Sequence, residues 1–421
     1  PTTNGNSSGG ARDLAISGNT VLISHLQGLS FFNNQSGPWR EIANFGNPPG
    51  QHGWYHSIAL SGNTAIAIDN NDDDNGDNAG AAFVLQSQNG SWTEPVKIKP
   101  LDGAAGARFG HDVAVFGNTA ILGAPGDSDN GPQSGSAYIF REIDDTWAQV
   151  AKLTATDGSA SDAFGSSVAL SGNTAIVGAP DASDGLQDQA GSAYIFREID
   201  GTWTQISKLT ASDANQYAHF GSSVAIAGSS AIVGAPEGGP THGGQAYLFK
   251  EDANAWSTAR TFVSNEPNDE YFGTAVALPQ DALVVSGKYL HIYQKPGEEW
   301  TESGLFLNYI DEFAPRGVLS ISGTSVLFDK GSKATLIGED TQHAWAFVDA
   351  SESVPQINFG SKHLPASLNG QIYRDLDLDG INDDSESGLD GWTVYLDADN
   401  SGTPSSGDPQ TTTAAGGHYS F

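Results

Sequence analysis

The sequence predicts an all-β fold: a β-propeller of seven blades, followed by a small calcium-binding β-module. Three observations carry this. A unit of about 40 to 55 residues recurs along most of the chain, a spacing typical of closed repeat arrays. One tryptophan falls at the same late position of every unit. After Glu352 the repeat stops, and an acidic, glycine-containing loop of calcium-ligand spacing follows.

The units are read directly. FGHDVAVFGNTAILGAP begins at Phe109, FGSSVALSGNTAIVGAP at Phe164 and FGSSVAIAGSSAIVGAP at Phe220. Each runs into a Gly-rich loop and then GSAYIF, GSAYIF or GQAYLF. Weaker copies start at Leu14, Ile58, Phe272 and Leu319, which makes seven. Trp39, Trp92, Trp147, Trp203, Trp256, Trp300 and Trp345 mark them independently, leaving only Trp54 and Trp392 outside the series.

Within a unit, VALSGNTAIV reads as two alternating strands around a Ser-Gly-Asn-Thr turn, AYIF as a third strand and WTQISKL as a fourth. A lone four-stranded sheet of this kind exposes both faces. Radial packing covers them and leaves only short edges. Seven repeats thus imply a seven-bladed ring, with the tryptophans packing between blades near the rim.

These residues resemble the FG-GAP repeat, the unit of the integrin α-subunit propeller and of many bacterial surface proteins, over residues 11 to 353. The resemblance implies an extracellular or surface location and a binding face. In one respect the sequence departs from it. Integrin-type repeats carry a D-x-D-x-D-G calcium loop between the first two strands, where this chain has Ser-Gly-Asn-Thr, so those cation sites do not transfer.

Loops join the second and third strands at Asp69–Gly80, Gly126–Gly135, Asp181–Gly191 and Glu237–Gly244. They emerge on the same face as the connections between units, such as Leu101–Arg108 and Thr156–Ala163. Loops on a rigid scaffold are where binding resides. Asp69, Asp72, Asp73, Asp74 and Asp77 form the densest acidic cluster, followed by Asp127 with Asp129, and Asp181, Asp184 and Asp188. None has complete calcium-loop spacing. They read as solvated acids, with loosely held Ca²⁺ or a basic partner as the alternative. His56, His111, Ser166, Ser222 and Thr274 occupy equivalent places by the first strands and predict a polar ring around the channel, with a metal between the histidines as the sharper reading.

Residues 354–368 read as a linker to a domain that begins at residue 369 and runs to 421. Asp375, Asp377, Asp379, Gly380 and Glu386 fit D-x-[DN]-x-[DN]-G-x5-E at every required place. Three carboxylates converge on one cation, Gly380 makes the turn, Ile381 offers a carbonyl, Asp383 holds the ninth position and Glu386 closes the shell. A second, weaker loop has Asp397, Asp399, Ser401, Thr403 and Asp408 at corresponding places. The flanks QIYRDL, WTVYLDA and HYSF are strand-like, which disfavours a helix-loop-helix site. Together residues 369–421 resemble the SdrD-type B domain of bacterial surface adhesins, which implies a calcium-stiffened immunoglobulin-like β-sandwich, present here only in part. The uncovered strand edges of such a half-domain invite completion by a neighbouring copy, or by further strands of the same chain.

Bulk composition sets the remaining bounds. Fifty acidic residues against 18 basic ones give a formal charge of −32, which repels nucleic acid and anionic membranes. There is no cysteine, so disulfides and thiolate chemistry are excluded. No apolar run is long enough to span a bilayer. A start at Pro1 in a chain without methionine suggests a removed leader and a secreted protein. Catalytic signatures are missing; the single G-x-S-x-G, Gly5 to Gly9, lies in a Gly/Ser/Asn tail without the strand and helix a nucleophile elbow needs. The expectation is a non-enzymatic, extracellular, calcium-binding adhesion or surface-structure protein, with a protein or glycan ligand on the acidic loop face. A self-assembling subunit of an extracellular filament or sheath and a polysaccharide-active propeller enzyme are the alternatives.

Overall fold

The structure is a computed structural model that describes residues 11–25, 27–34, 40–47, 57–183, 188–213, 215–239, 242–253, 255–266, 269–278, 282–295, 300–307, 319–322, 325–329, 334–340, 343–344, 369–371, 393–395, 410–414 and 418–420. Every regular element among these is a β-strand, and the fold is a β-propeller. No helix of the described residues is long and apolar enough to cross a membrane.

The third unit shows how a blade arises. Val113–Phe116, Thr119–Ala124, Ser136–Ile143 and Thr146–Leu153 pair antiparallel in chain order. Gly117 takes the left-handed conformation that the tight turn requires. The second strand is buried along its whole length, because it lies sandwiched between neighbouring sheets, whereas the fourth alternates exposed and covered at the rim. A bulge at Ile139/Phe140 twists the outer strand, and the same bulge recurs at Ile195/Phe196, Leu248/Phe249, Ile292/Tyr293 and Phe31/Phe32.

Six sheets have this four-stranded order. The expectation of a seven-bladed propeller is corrected to six four-stranded blades, because the second unit forms a sheet of five strands instead. There Ala81–Gln88 pairs with two separate pieces, Ser91–Trp92 and Val96–Ile98. Pro95 lies between them and has no N–H to give the ladder, so the place where other units bulge becomes a break. Thr93 mends part of it, its Oγ1 accepting from the Gln86 N–H at 3.0 Å.

The core is not inside the sheets but between them. One cluster joins Ile121, Ile139 and Leu153 of the third unit to Phe164, Val177 and Tyr194 of the fourth, and equivalent clusters join second to third and fourth to fifth. Trp92, Trp147, Trp203, Trp256 and Trp300 each pack, partly buried, against such a cluster, as the periodicity predicts. Trp92 stacks on Phe31 of the preceding unit with ring centroids 4.2 Å apart. Trp39, Trp54, Trp345 and Trp392 lie outside the described residues.

Backbone stitches accompany the packing. Phe164 N–H donates to Ser134 O of the preceding unit at 3.0 Å, and Gly165 N–H donates to Gly178 O of its own unit at 2.9 Å. Phe109 with Gly110 and Phe220 with Gly221 repeat the arrangement. On the inner side, Ser167 Oγ donates to Gly221 O at 2.7 Å, and Ser223 Oγ to Gly273 O at 2.8 Å. Farther out, Arg141 makes a two-pronged pair with Glu198 of the next unit, at 2.9 and 2.7 Å, and Arg197 does the same with Glu251, at 2.9 and 2.8 Å. Each arginine sits only one residue before a Glu that serves the other neighbour, so a Phe-Arg-Glu run locks both ways round the ring.

Beyond the propeller, Asn369–Gln371 pairs with His418–Ser420, and Thr393–Tyr395 with Gln410–Thr412, each antiparallel. The immunoglobulin-like sandwich expected there rests mostly on residues outside the described ones.

The close approach of blades yields a first prediction. A Cβ placed on Gly135, at φ +83°, would sit inside the van der Waals radius of the Phe164 carbonyl oxygen of the next blade; on the turn glycine Gly172, at φ +60°, it meets nothing within 4 Å. Both positions carry the left-handed strain of a non-glycine residue. In urea melts Gly172→Ala should therefore cost about 1 kcal/mol and Gly135→Ala well above about 3 kcal/mol. Equal costs would show that the inter-blade contact is not limiting.

Candidate functional site

The candidate site is the face formed by the loops between second and third strands together with the connections between units. Each connection rests on the loop of the unit it leaves: Gly106 N–H donates to Asp77 O at 2.8 Å, Ser161 N–H to Pro132 O at 2.8 Å, and Tyr217 N–H to Asp188 O at 3.0 Å. The predicted grouping of the two loop sets on one face is thus present, and the loops brace each other. Gly106, Ser161 and Tyr217 all have positive φ at this same place, as do Arg108, Ala163, His219 and Tyr271 just before each Phe. Nearly identical backbones therefore carry different side chains from blade to blade.

The acidic clusters are more internal than a solvated reading expects. Asp69, Asp72 and Asp127 are buried, whereas Asp73, Asp74, Asp77, Asp129 and Asp188 are exposed. Several structure their own loops, with Asp69 Oδ1 accepting from Asn71 N–H at 3.1 Å, Asp72 Oδ1 from Asp74 N–H at 3.1 Å and Asp73 Oδ1 from Asn78 N–H at 2.7 Å. Asp184 lies outside the described residues.

Lysines from the fourth strands enter the first two of these clusters, and a third lysine takes the equivalent place in the next unit. Lys152 Nζ reaches Asp129 at 2.6 Å, Asp102 at 2.7 Å and Asp127 at 3.0 Å, and lies 5.2 Å from the Tyr138 ring centroid. Lys97 sits between Asp72 and Asp74, 2.5 Å from each, over Phe83, and Lys208 meets Asp157 at 2.6 Å over Tyr194. In the third unit Tyr138 OH also donates to Asp127 Oδ2 at 2.7 Å. Burial works to raise the Asp127 carboxyl, but Tyr138 and Lys152 together hold it below the usual carboxylate range. Asp127 therefore adds stability above the unfolded-state value, lost as pH falls through its lowered one. The fifth unit has Thr261 in place of the lysine, and there Tyr247 OH donates to Asp213 Oδ1 at 2.7 Å.

Sequence reasoning missed these lysines. The available signal was their position: each lies five residues after the unit's tryptophan, in VKI, AKL and SKL, where the buried Tyr or Phe of the third strand is its cross-strand partner. Among the described residues no group of three or more His, Asp or Glu side chains is disposed to hold a metal ion. The predicted calcium ligands Asp375, Asp377, Asp379, Ile381, Asp383, Glu386, Asp397, Asp399, Ser401, Thr403 and Asp408 all lie outside the described residues.

Around the channel the ring is polar, but it is a ring of structural bonds. His111 Nδ1–H donates to Ser166 O at 3.1 Å. Ser166, Ser222 and Thr274 spend their hydroxyls on carbonyls three residues back, each at 2.7 Å. The neighbouring position does more: Asp13 Oδ2 accepts from Ile58 N–H, and Asp112 Oδ2 from Val168 N–H, both across blades at 2.7 Å. Burial, with Asp112 adding to it, pushes the Asp13 carboxyl up to about 7 against hydrogen bonds from Ile58 and Leu14. His56 lies outside the described residues.

Removing the lysine should release its loops. Lys152→Met keeps the stem over Tyr138 and deletes the charge. Amide exchange within residues 102–135 is expected to quicken about tenfold or more, with a loss of stability of about 1 to 3 kcal/mol and a Asp127 carboxyl that titrates higher. Unchanged exchange would mean that backbone bonds alone hold the loops.

With this geometry in place, the comparisons are specific to the central blades. Residues 92–140, 147–196 and 203–249 match the FG-GAP repeat. Each match starts at a fourth strand and ends in the third strand of the following sheet, so the repeat as matched straddles two blades. No curated protein matches the chain.

Proposed function

We propose that this protein is an extracellular, calcium-binding adhesion or surface-structure protein, not an enzyme, whose propeller is a binding platform and whose C-terminal module is a calcium-stiffened stalk. One observation carries the reading: a set of mutually braced loops on one face presents differing side chains on repeated backbone, which is the design of a recognition surface on a rigid scaffold. Its FG-GAP repeats belong to a class typical of extracellular and surface propellers. The five-stranded second sheet takes the seventh place in the ring. In support, the first strands of successive units touch in cyclic order, and Ala11–Ser17 meets both Ile58–Ser61 and Leu319–Ser322.

The exposed acids Asp73, Asp77, Asp129 and Asp188 select a ligand with basic or hydroxyl-rich groups, a protein or glycan, on this face. Calcium belongs to the C-terminal loops. Asp375, Asp377, Asp379, Ile381, Asp383 and Glu386 supply one complete ligand set of carboxylates and a carbonyl, and the loop from Asp397 to Asp408 a weaker one.

Two measurements check this. Calorimetric titration of the full chain should show Ca²⁺ uptake that Asp377→Ala plus Glu386→Ala reduces by one site; undiminished uptake in the double variant removes that loop as the site. Binding to immobilised extracellular proteins and glycans should fall on changing Asp73, Asp77 and Asp129 to lysine. Turnover of a polysaccharide, or equal capture by the charge-reversed protein, would sink the platform reading.

A further inference from the structure

The sixth blade breaks the chemical pattern of its neighbours in one place. Where the third, fourth and fifth blades hold a buried tyrosine, Tyr138, Tyr194 or Tyr247, the sixth holds His291. Its Nε2 lies 2.8 Å from Asp269 Oδ2 and its Nδ1 2.7 Å from Glu302 Oε1. The imidazole is 1% exposed and the Asp269 side chain 0%, while Glu302 keeps 33%. Asp269 comes from the loop entering the blade, His291 from its third strand, Tyr289–Gln294, and Glu302 from its fourth, Thr301–Leu307. Asp269 Oδ1 also accepts from Tyr289 N–H at 3.2 Å, so the triad ties the entry loop to the blade.

Both ring nitrogens face carboxylate oxygens, which only accept. The doubly protonated imidazolium satisfies both contacts; a neutral ring turns one lone pair toward an anion. The rest of the surroundings offer no substitute. Phe272 and Tyr293 pack on the ring, Tyr289 lies beyond, and Arg260 of the fifth blade lies over the Phe262 ring and donates to Trp300 O at 2.9 Å. Burial works to lower the imidazolium, but Asp269 and Glu302 outweigh it and raise its proton affinity above the ordinary histidine value.

We propose that the Asp269–His291–Glu302 triad is a proton-operated latch that keeps the sixth blade closed against its entry loop and loosens it when the proton leaves. A histidine raised in the fold contributes stability that is complete below its unfolded value and lost as pH rises through the folded one. The propeller is then tightest in mildly acid medium and opens locally toward alkaline pH. Asp13 shifts stability in the same sense, falling as pH rises toward its value of about 7, so the two must be separated by variants.

The test uses the full chain with His291→Tyr, which restores the residue of the sister blades, and Asp13→Asn as the control. Amide exchange in residues 282–307, corrected for intrinsic rates, is followed from about pH 5 to about pH 9. Protection in the wild type should fall by up to about tenfold per pH unit from the ordinary histidine value upward and level off above the raised value of the folded state, and be flat in His291→Tyr but unchanged in slope in Asp13→Asn. Independently, the ring nitrogen resonances of His291 in the unaltered protein should show both nitrogens protonated beyond about pH 6.5. A neutral ring at that pH, or an identical slope in folded His291→Tyr, overturns the latch.

Discussion

The central blades depend on one contact, repeated at the four junctions entered by Phe109, Phe164, Phe220 and Phe272: backbone against backbone where a Phe-Gly segment enters a blade. The Phe164 carbonyl of the fourth blade lies against Gly135 of the third, and Gly165 against Gly123, leaving no room for a side chain on any of these glycines. Phe164 itself, 1% exposed, fills the space between blades against Tyr194 and Phe196. Glycine removes the steric barrier and phenylalanine supplies the burial, about 1.5 to 3 kcal/mol each. The placement of the loops beside the next blade follows from blades that can approach so closely. The Phe-Gly and Gly-Ala-Pro pieces that look like parts of one unit are mainly the two halves of a junction.

Charge is managed by the same repetition. A chain of formal charge −32 pays self-repulsion wherever acids gather, and its loop face is where they gather. Lysine ammonium groups set over aromatic rings answer this from within, at Lys97, Lys152 and Lys208. The inner Asp carboxylates become loop-forming acceptors, and only the outer ones remain to meet a partner. A face can then be both rigid and strongly acidic without depending on a metal for its shape.

Departures from the repeat coincide with local changes of structure. Pro95 splits a strand, Thr261 replaces a lysine and leaves Tyr247 to bond Asp213 and Gln245, and His291 replaces a tyrosine and recruits Glu302. Each change is small in sequence, but each sits at a position whose partners come from another strand or another blade. Such positions turn a uniform ring into one with individually different sectors.

By itself the sequence determined the β-class, the repeat, the limits of most strands, the common face of the loops and the rim place of the tryptophans. These are local quantities: alternation with period two, turn residues at fixed offsets, and a recurrence that aligns equivalent positions. The spacing of acids from Asp375 to Glu386 is a local pattern of the same kind, since it falls within one short segment. Tertiary structure alone decided who stands opposite whom. Gly123 meets Gly165, Arg141 meets Glu198 and Asp13 meets Ile58 across about one repeat length, and Lys152 gathers Asp102 from one loop and Asp127 and Asp129 from another. Periodicity places every unit in register but does not encode the offset between neighbouring blades. That offset is set by how closely two backbones can pack, and it turned loop acids read as solvated into internal counter-charges.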